Sequence, residues 1–213
     1  MSNMKDQASC VGLLADVVGS RHSDRTKTHR AILHAIKHVN KEVPALDDLR
    51  VTVGDELQGV YVSLGDALHA RLRLAEHLLG TVDLRFGLGG GEMRVVDASR
   101  HIQDGSAWWL AREAIERVET YTKDPGYRLV RTAILDERTT ATPCADSIIR
   151  LIETTLARLR DGTRRSLNGV LAGLSNIEVA AAEGISASAN SQRVNHNDLR
   201  VLADAIAAVQ QLP

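Results

Sequence analysis

The stretch Leu13–Arg21 reads LLADVVGSR, an apolar run that contains one aspartate and closes on glycine, serine and arginine. Its nearly continuous apolar character predicts a strand that is buried on both faces. An ionised carboxylate is costly to desolvate unless it is paired or binds a metal. Asp16 is therefore expected either at the exposed end of this strand or beside a cation.

The composition of the 213-residue chain, with 44% hydrophobic and 25% charged residues, is that of an ordinary soluble globular protein. Because the formal net charge is −1, binding to DNA would need a local basic face. Aromatic residues make up only 3%, which disfavours a base-stacking platform. Cys10 and Cys144 stand alone, and we find no secretory leader and no apolar run of membrane length, so we expect a cytoplasmic protein that makes no membrane contact.

Hydrophobic spacing in the first part of the chain predicts alternating strands and helices. Two strands flank Gly54-Asp55 and predict a hairpin. Helices are predicted over 25–42, 65–79 and 106–119, and strands over 13–18, 49–53, 57–62, 82–88, 93–96 and 127–135. This alternation predicts an α+β sandwich in which helices cover one face of a mostly antiparallel sheet.

No strand pattern follows Ala145, and the remaining sequence predicts helices only. These helices are predicted over 147–160, 167–174, 176–183, 186–194 and 198–210. A shift in composition near 139–144 predicts a linker. We therefore divide the chain into a flexible N-terminal segment (1–10), a sheet domain (11–140) and a small all-α domain (145–213).

Two aspartates lie at the ends of predicted strands, Asp16 after the first and Asp55 at the hairpin tip. If these strands are neighbours, both carboxylates project from one edge and offer the oxygen ligands that Mg²⁺ or Mn²⁺ takes together with phosphate oxygens. The backbone after Asp16 predicts a phosphate cradle formed by Val17, Val18, Gly19, Ser20 and Arg21. In the alternative interpretation, Asp16 caps a helix and Asp55 occupies a turn.

Four successive stretches carry a resemblance to a known fold: LLADVVGS (13–20), VTVGDEL (51–57), DLRFGLGGGE (83–92) and DGSAWWLAREA (104–114). Together they resemble "FADIVGFT", "KTIGDAYM", "LRIGIHTG" and "GDAVNLAAR" of the class III nucleotidyl cyclase catalytic domain, over roughly 11–135. With the helical C-terminal segment added, the whole chain is similar to the SatD family of bacterial proteins. The resemblance implies a ferredoxin-like, palm-type fold, a nucleoside di- or triphosphate ligand and a homodimer.

Position by position, the resemblance retains only part of a cyclase site. Asp16 and Asp55 match the two metal-binding aspartates, and Val17–Ser20 match the phosphate-contacting loop. The positions that contact adenine, orient the ribose and stabilise the transition state differ here: Val51, Trp109 and Glu113. Arg112, next to the last of these, is the candidate catalytic residue, and Arg94 or Arg100 could also serve.

The stretch NIEVAAAEGISASANSQRVNH (176–196) has the layout of a helix-turn-helix, with Gly184 at the turn and Ser186 as the cap of the second helix. In such motifs the second helix enters the major groove of double-stranded DNA. The predicted DNA-binding residues are Ser188, Ser191, Gln192 and Arg193. Glu183 and Asn190 depart from the usual apolar pattern, and the alternative is a helical appendage for dimerisation or packing.

Two smaller features have both a functional and a structural interpretation. Gly89–Gly91 would let a ligand approach the backbone, or form a turn or bulge at a strand end. His34 and His38 lie one helical turn apart, but without a third ligand in the sequence we expect a solvated helix face.

Three hypotheses follow. The first is a bacterial regulator that binds a nucleoside phosphate and a divalent metal and contacts DNA through the helical domain. The second is an active nucleotidyl cyclase or nucleotidyltransferase. The third is a degenerate palm domain that serves as a protein-interaction scaffold.

Overall fold

The structure, a computed structural model, describes residues 8–19, 25–52, 54–97, 99–100 and 102–213. They form two compact units, one reaching Arg150 and including Gln210–Pro213, the other spanning Leu151–Val209. The elements of the first unit are β1 (Ala8–Val17), α1 (Arg25–Glu42), β2 (Asp47–Val51), β3 (Leu57–Tyr61), α2 (Leu64–His77), β4 (Leu84–Asp97), β5 (Ile102–Asp104), α3 (Ser106–Tyr121) and β6 (Thr132–Asp136). The helices that follow are α4 (Ala145–Arg158), α5 (Asp161–Leu171), α6 (Asn176–Glu183), α7 (Ala187–His196) and α8 (Leu199–Val209).

The central strands of the sheet follow the order β2-β3-β1-β4, and each neighbouring pair is antiparallel. This order and the βαββαβ succession are those of a ferredoxin-like fold, so the predicted α+β fold class is confirmed. Two further strands extend the sheet beside β4. β6 pairs with β4 in parallel, and β5 pairs with the last residues of β4 in antiparallel. β1 includes Ala8–Cys10, which the sequence analysis placed in a flexible segment, because these residues pair with Gly91–Met93 of β4. The rest of that segment, 1–7, lies outside the described residues.

Helices cover both faces of this sheet, not one face as the sequence predicted. On one face, the guanidinium of Arg71 in α2 lies 4.9 Å from the ring centre of Phe86 in β4. On the other face, the backbone of Gly87 lies against Ala111 of α3. Because successive residues of a strand point to opposite faces, α2 and α3 lie on opposite sides of β4.

Glycine at alternate positions of β4 allows α3 to lie directly against the sheet. A Cβ atom added to Gly87, Gly89 or Gly91 would come within 3.0 Å of α3 backbone atoms of Ala111 or Ala107. These glycines therefore form neither a turn nor a ligand cradle. They lie within one continuous strand, which the sequence analysis had divided in two. The close approach is made by a helix of the protein itself.

Hydrogen bonds to other parts of the first unit hold α1 and α2 in place. Asn40 in α1 donates to the Leu49 carbonyl over 2.9 Å and accepts from the Leu49 N–H over 3.1 Å, which ties the helix to β2. At the start of α2, the N–H of Leu64 donates to the Pro213 carbonyl and the N–H of Gly65 donates to the Leu212 carbonyl. The last residues of the chain thus satisfy donors that a helix N-terminus otherwise leaves free.

The second unit is entirely helical in the described structure, as predicted. Ser175 and Glu178 form a reciprocal capping box at the start of α6. Gly184 ends α6 in the left-handed conformation (φ 63°), and Ser186 caps α7 by accepting from the Ala189 N–H. The α6–turn–α7 segment is therefore a helix-turn-helix in its local geometry.

Candidate functional site

Asp16 lies half-buried at the end of β1, and the cation beside it is a guanidinium. Arg85 Nε donates to Asp16 Oδ1 over 2.8 Å and Arg85 Nη2 donates to Oδ2 over 2.9 Å. The third nitrogen, Arg85 Nη1, lies 2.6 Å from Glu119 Oε1 of α3. Asp16 is therefore already compensated by the protein, and its side chain lies on the α3 face of the sheet.

Asp55 lies in the turn that precedes β3, two residues before Leu57, whose ladder partner is Ala15. The ladder thus brings the backbones of Asp16 and Asp55 to the same end of the sheet. Between Asp55 and β3 lies Glu56, which accepts from Arg112 Nη2 of α3 over 2.6 Å. The sequence prediction did not include Glu56. Residues two apart in a strand share a face, so Glu56 could have been assigned to the same face as Gln58.

The predicted phosphate cradle is described only in part. Val17 is buried in β1 opposite Leu84, and the Val18 N–H donates to the Asp83 carbonyl over 2.9 Å. That donor is therefore used within the protein. Gly19 follows in a turn with φ 71°, while Ser20 and Arg21 lie outside the described residues.

A groove of about 780 Å³ opens on the α3 face, between α3, β3 and β5. Its lining is Leu14, Glu56, Gln58, Ile102, Gln103, Asp104, Trp108, Trp109, Arg112, Glu113 and Glu116. Gln103 Nε2 donates to Asp47 over 2.9 Å, whereas its buried Oε1 accepts no hydrogen bond from the described residues. A groove of this size that is lined by amide, carboxylate and guanidinium side chains suits a small polar ligand.

The two adjacent tryptophans have different surroundings. Trp108 packs on the sheet, where its ring would lie 3.1 Å from a Cβ added to Gly12 and where it contacts a cluster that includes Leu14. Trp109 is 66% exposed at the groove. Trp108 therefore has a packing role, and the indole of Trp109 is accessible to a ligand.

The arginines proposed as catalytic substitutes are each paired with a carboxylate. Arg112 holds Glu56 at the groove, Arg94 bonds Asp104 over 2.7 Å, and Arg100 lies 3.9 Å from Asp97. Of these, Arg94 and Arg100 do not line the groove. Arg112 is therefore the arginine that is placed to meet a ligand there.

The predicted DNA-binding residues divide into two groups by exposure. Ser188 and Gln192 are exposed on α7, whereas Ser191 and Arg193 are half-buried. Arg193 Nη1 donates to the Gly162 carbonyl over 3.1 Å and lies 3.4 Å from a carboxylate oxygen of Glu183. Arg193 is thus engaged within the helical unit.

Glu183 and Asn190, which depart from the usual helix-turn-helix pattern, both find polar partners. Asn190 is buried, accepts from Ser166 Oγ over 2.7 Å and donates to Asn176 Oδ1 over 2.9 Å. Glu183 pairs with Arg165 over 2.6 Å. Polar residues at these positions are therefore compatible with the motif, because each one is hydrogen-bonded.

These features define a two-part chain, a ferredoxin-like α+β unit with a groove beside a charged sheet edge and a helical unit with a helix-turn-helix. The particular family follows from the sequence, because the SatD family model matches residues 10–211. The chain belongs to the SatD family. No curated protein matches it.

Solved structures show distant similarity. Two structures of a bacterial light-regulated adenylyl cyclase are 11% and 12% identical to this chain, with TM-scores of 0.40 and 0.42. Each match covers 57% of this chain, and the chain spans 42% of the first structure and 73% of the second. A regulator of polyketide synthase expression from Bifidobacterium adolescentis is 10% identical, with a TM-score of 0.26 and coverage of 96% and 86%. Among the described helices, none has the length and apolar character needed to span a membrane.

Proposed function

We propose that this protein is a bacterial regulator that binds a nucleoside di- or triphosphate in the groove on the α3 face, with Mg²⁺ or Mn²⁺ at the adjoining sheet edge. The observation that carries the proposal is the groove itself, which combines an exposed indole, an arginine and amide side chains beside four carboxylates. Its volume lies within the range of about 300–1,000 Å³ that is typical of small-molecule sites.

Each part of a nucleotide finds a suitable partner along this groove. The face of Trp109, which is 66% exposed at the groove, can stack against a base. Arg112 can release Glu56 and bind a phosphate, because its side chain is 47% exposed and the exchange replaces one anion by another.

The residues at the sheet edge fit a divalent metal that accompanies phosphate. Asp16, Asp55 and Glu56 supply carboxylate oxygens at the same end of the β1–β3 ladder. Arg85 occupies one lone pair on each Asp16 oxygen, and each oxygen keeps a second. A bound metal would offset the repulsion between the carboxylates and the phosphates, and Arg85, which Glu119 also holds, would add positive charge.

Thermal-shift titration of the full chain with ATP, GTP and their diphosphates, with and without Mg²⁺, tests this proposal. A ligand present at 100 times its Kd should add about 2.7 kcal/mol to the free energy of unfolding. Arg112→Ala should weaken binding, whereas Arg117→Ala is the matched control, because it lies on the same helix with a similar 48% exposure and outside the groove. Asp16→Asn should remove the Mg²⁺-dependent part of the shift. The proposal fails if no nucleotide stabilises the chain.

A regulatory role is favoured over catalysis by the residues found at the cyclase-like positions. Val51, Trp109 and Glu113 replace the groups that read the base, orient the ribose and stabilise the transition state in the family that the sequence resembles. Because Glu113 stands at the transition-state position and the neighbouring Arg112 is paired with Glu56, turnover should be very slow. Incubation with labelled ATP or GTP and Mn²⁺ decides between the two, because formation of a cyclic or transferred product would establish an enzyme.

DNA binding by the helical unit is a second candidate function, favoured by the capped α6–turn–α7 geometry and the exposed Ser188 and Gln192 on α7. Gel shifts over a salt series would test it. Gln192→Ala should lose about 1–3 kcal/mol of sequence preference if this residue contacts a base. Gln211→Ala, an exposed glutamine outside the motif, is the control. A homodimer and a cytoplasmic location remain predictions from the sequence.

A further inference from the structure

A cluster of nitrogen and oxygen donors lies where α1 meets α2, away from the groove. His38 and Glu42 lie one turn apart on α1, and His77 lies at the end of α2. One donor atom from each comes within 4.8 Å of the others, and within the described part of the chain no other three potential ligands meet in this way. His77 is distant from His38 along the chain, so the sequence alone does not show it as a further ligand.

The distance between the side-chain nitrogens of His34 and His38 is close to that between two ligands of one metal ion. His34, one turn before His38, places its Nε2 3.4 Å from the Nε2 of His38. In a tetrahedral zinc site with Zn–N distances of about 2.0–2.1 Å, neighbouring ligand nitrogens are about 3.4 Å apart. The ring of His38 also stacks on that of His77, with centres 5.1 Å apart. The imidazoles are thus already gathered to within short side-chain movements of a common centre.

Arg73 lies beside the cluster and holds Glu42 in place. Arg73 Nε donates to Glu42 Oε2 over 2.6 Å, and this hydrogen bond lowers the pKa of Glu42. Arg73 Nη2 also donates to Glu42 Oε1 over 3.3 Å, and this oxygen lies 4.0 Å from His77 Nε2, so the more weakly held oxygen of Glu42 is the one beside the cluster.

We propose that His38, Glu42 and His77, joined by His34, bind Zn²⁺ and thereby link α1 to α2. Imidazole nitrogens with one carboxylate oxygen are ligands that zinc takes readily, whereas Mg²⁺ prefers oxygen ligands throughout. Because α2 and α3 cover opposite faces of the sheet, this site is separate from the nucleotide groove. Zinc at this position would stabilise the α1–α2 layer and does not depend on the proposed function.

Zinc titration of the full chain, first freed of metal by chelator, tests the site by calorimetry and by the ligand-field spectrum of Co²⁺ in place of Zn²⁺. We expect one ion per chain, a tetrahedral Co²⁺ spectrum and a raised melting temperature that Mg²⁺ does not reproduce. Loss of an outer-shell partner of a metal site costs about 10–100-fold in affinity. His38→Ala and His77→Ala each remove a ligand and should weaken zinc binding by at least as much. His196→Ala, an exposed histidine of α7, is the matched control and should bind zinc as the unaltered chain does.

Three results would overturn the proposal. They are no zinc uptake by the unaltered chain, a zinc affinity in His38→Ala and His77→Ala that equals that of the unaltered chain, or a loss of affinity in His196→Ala as large as in those two variants. Unchanged affinity in His34→Ala would remove that residue from the site. Far-UV circular dichroism without metal checks that the variants fold, which their partly exposed positions favour. The nucleotide-induced shift should persist in His77→Ala, so failure of the zinc site and failure of the nucleotide proposal are distinguishable.

Discussion

Asp16 and Arg85 face each other across the β1–β4 ladder, and their side chains join through two hydrogen bonds of 2.8 and 2.9 Å. The two side chains are only 24% and 21% exposed, so each charge depends on the other. This pair explains how an aspartate follows the buried Leu13–Ala15 run of β1. It also places a guanidinium at the edge where we propose that phosphate binds.

Asp16→Asn should destabilise the fold, because it leaves the partly buried guanidinium of Arg85 with one carboxylate fewer. We expect a loss of about 1–3 kcal/mol in the free energy of unfolding, measured by urea titration. Combining Asp16→Asn with Arg85→Met in a double-mutant cycle isolates the coupling between the two side chains. Strictly additive effects would show that the pair contributes nothing to stability.

Gly89→Ala should be strongly destabilising, because its new Cβ would come within 3.0 Å of backbone atoms of Ala107 and Ala111. Backbone cannot move aside as a side chain can, so α3 must lift from the sheet. We expect a cost of at least about 2–3 kcal/mol in urea unfolding. Gly126→Ala is the control, since this exposed glycine has only the Asp124 carboxylate near its Cβ position, at 3.3 Å. Equal effects of the two substitutions would contradict this account of β4.

Asn190→Ala should destabilise the helical unit, because Asn190 is buried and bridges Ser166 and Asn176. Losing its hydrogen bonds should cost about 1–3 kcal/mol, seen as a lower melting temperature by circular dichroism. Asn195→Ala, at an exposed position on the same helix, should have little effect. A melting temperature unchanged by Asn190→Ala would mean that the buried bridge is dispensable.

Stability of the metal-free chain should fall as the pH drops below about 6.5. Burial and Arg73 lower the pKa values of His69 and His77 from 6.5, so the unfolded chain takes up their protons first. Their contribution is fully present above pH 6.5 and is lost as the pH falls toward the folded-state values. Urea titrations from pH 8 downward should therefore give a flatter pH dependence for His69→Gln and His77→Gln, whereas His196→Gln should keep the original slope.

The two thiols should differ in reactivity toward an aromatic disulfide reagent at mildly alkaline pH. Burial raises the pKa of Cys10 to about 11, whereas Cys144 is exposed. Because the thiolate is the reacting form, one equivalent should react quickly in the native chain. Cys144→Ser should abolish this fast phase, and a fast phase that persists would show that Cys10 becomes accessible.

Much of the secondary structure followed from local pattern. The predicted helix over 25–42 matches α1, and 106–119 falls within α3, because amphipathic spacing and Pro44 act within a few residues. The strand β4 was divided in two, since glycines at alternate positions look like a turn when the partner helix is not known. The same glycines leave room for α3 on the second face of the sheet. No local sequence pattern shows which face a helix covers.

The sequence by itself determined the family, the ferredoxin-like succession of elements and the helix-turn-helix, because periodicity, caps and turns are encoded within short stretches of chain. Only the tertiary structure decided the partners of charged side chains. Asp16 meets Arg85, Glu56 meets Arg112, and His38 lies beside His77, although these residues are far apart along the chain. Such pairings depend on strand register and on which helix covers which face, and those are set by long-range packing.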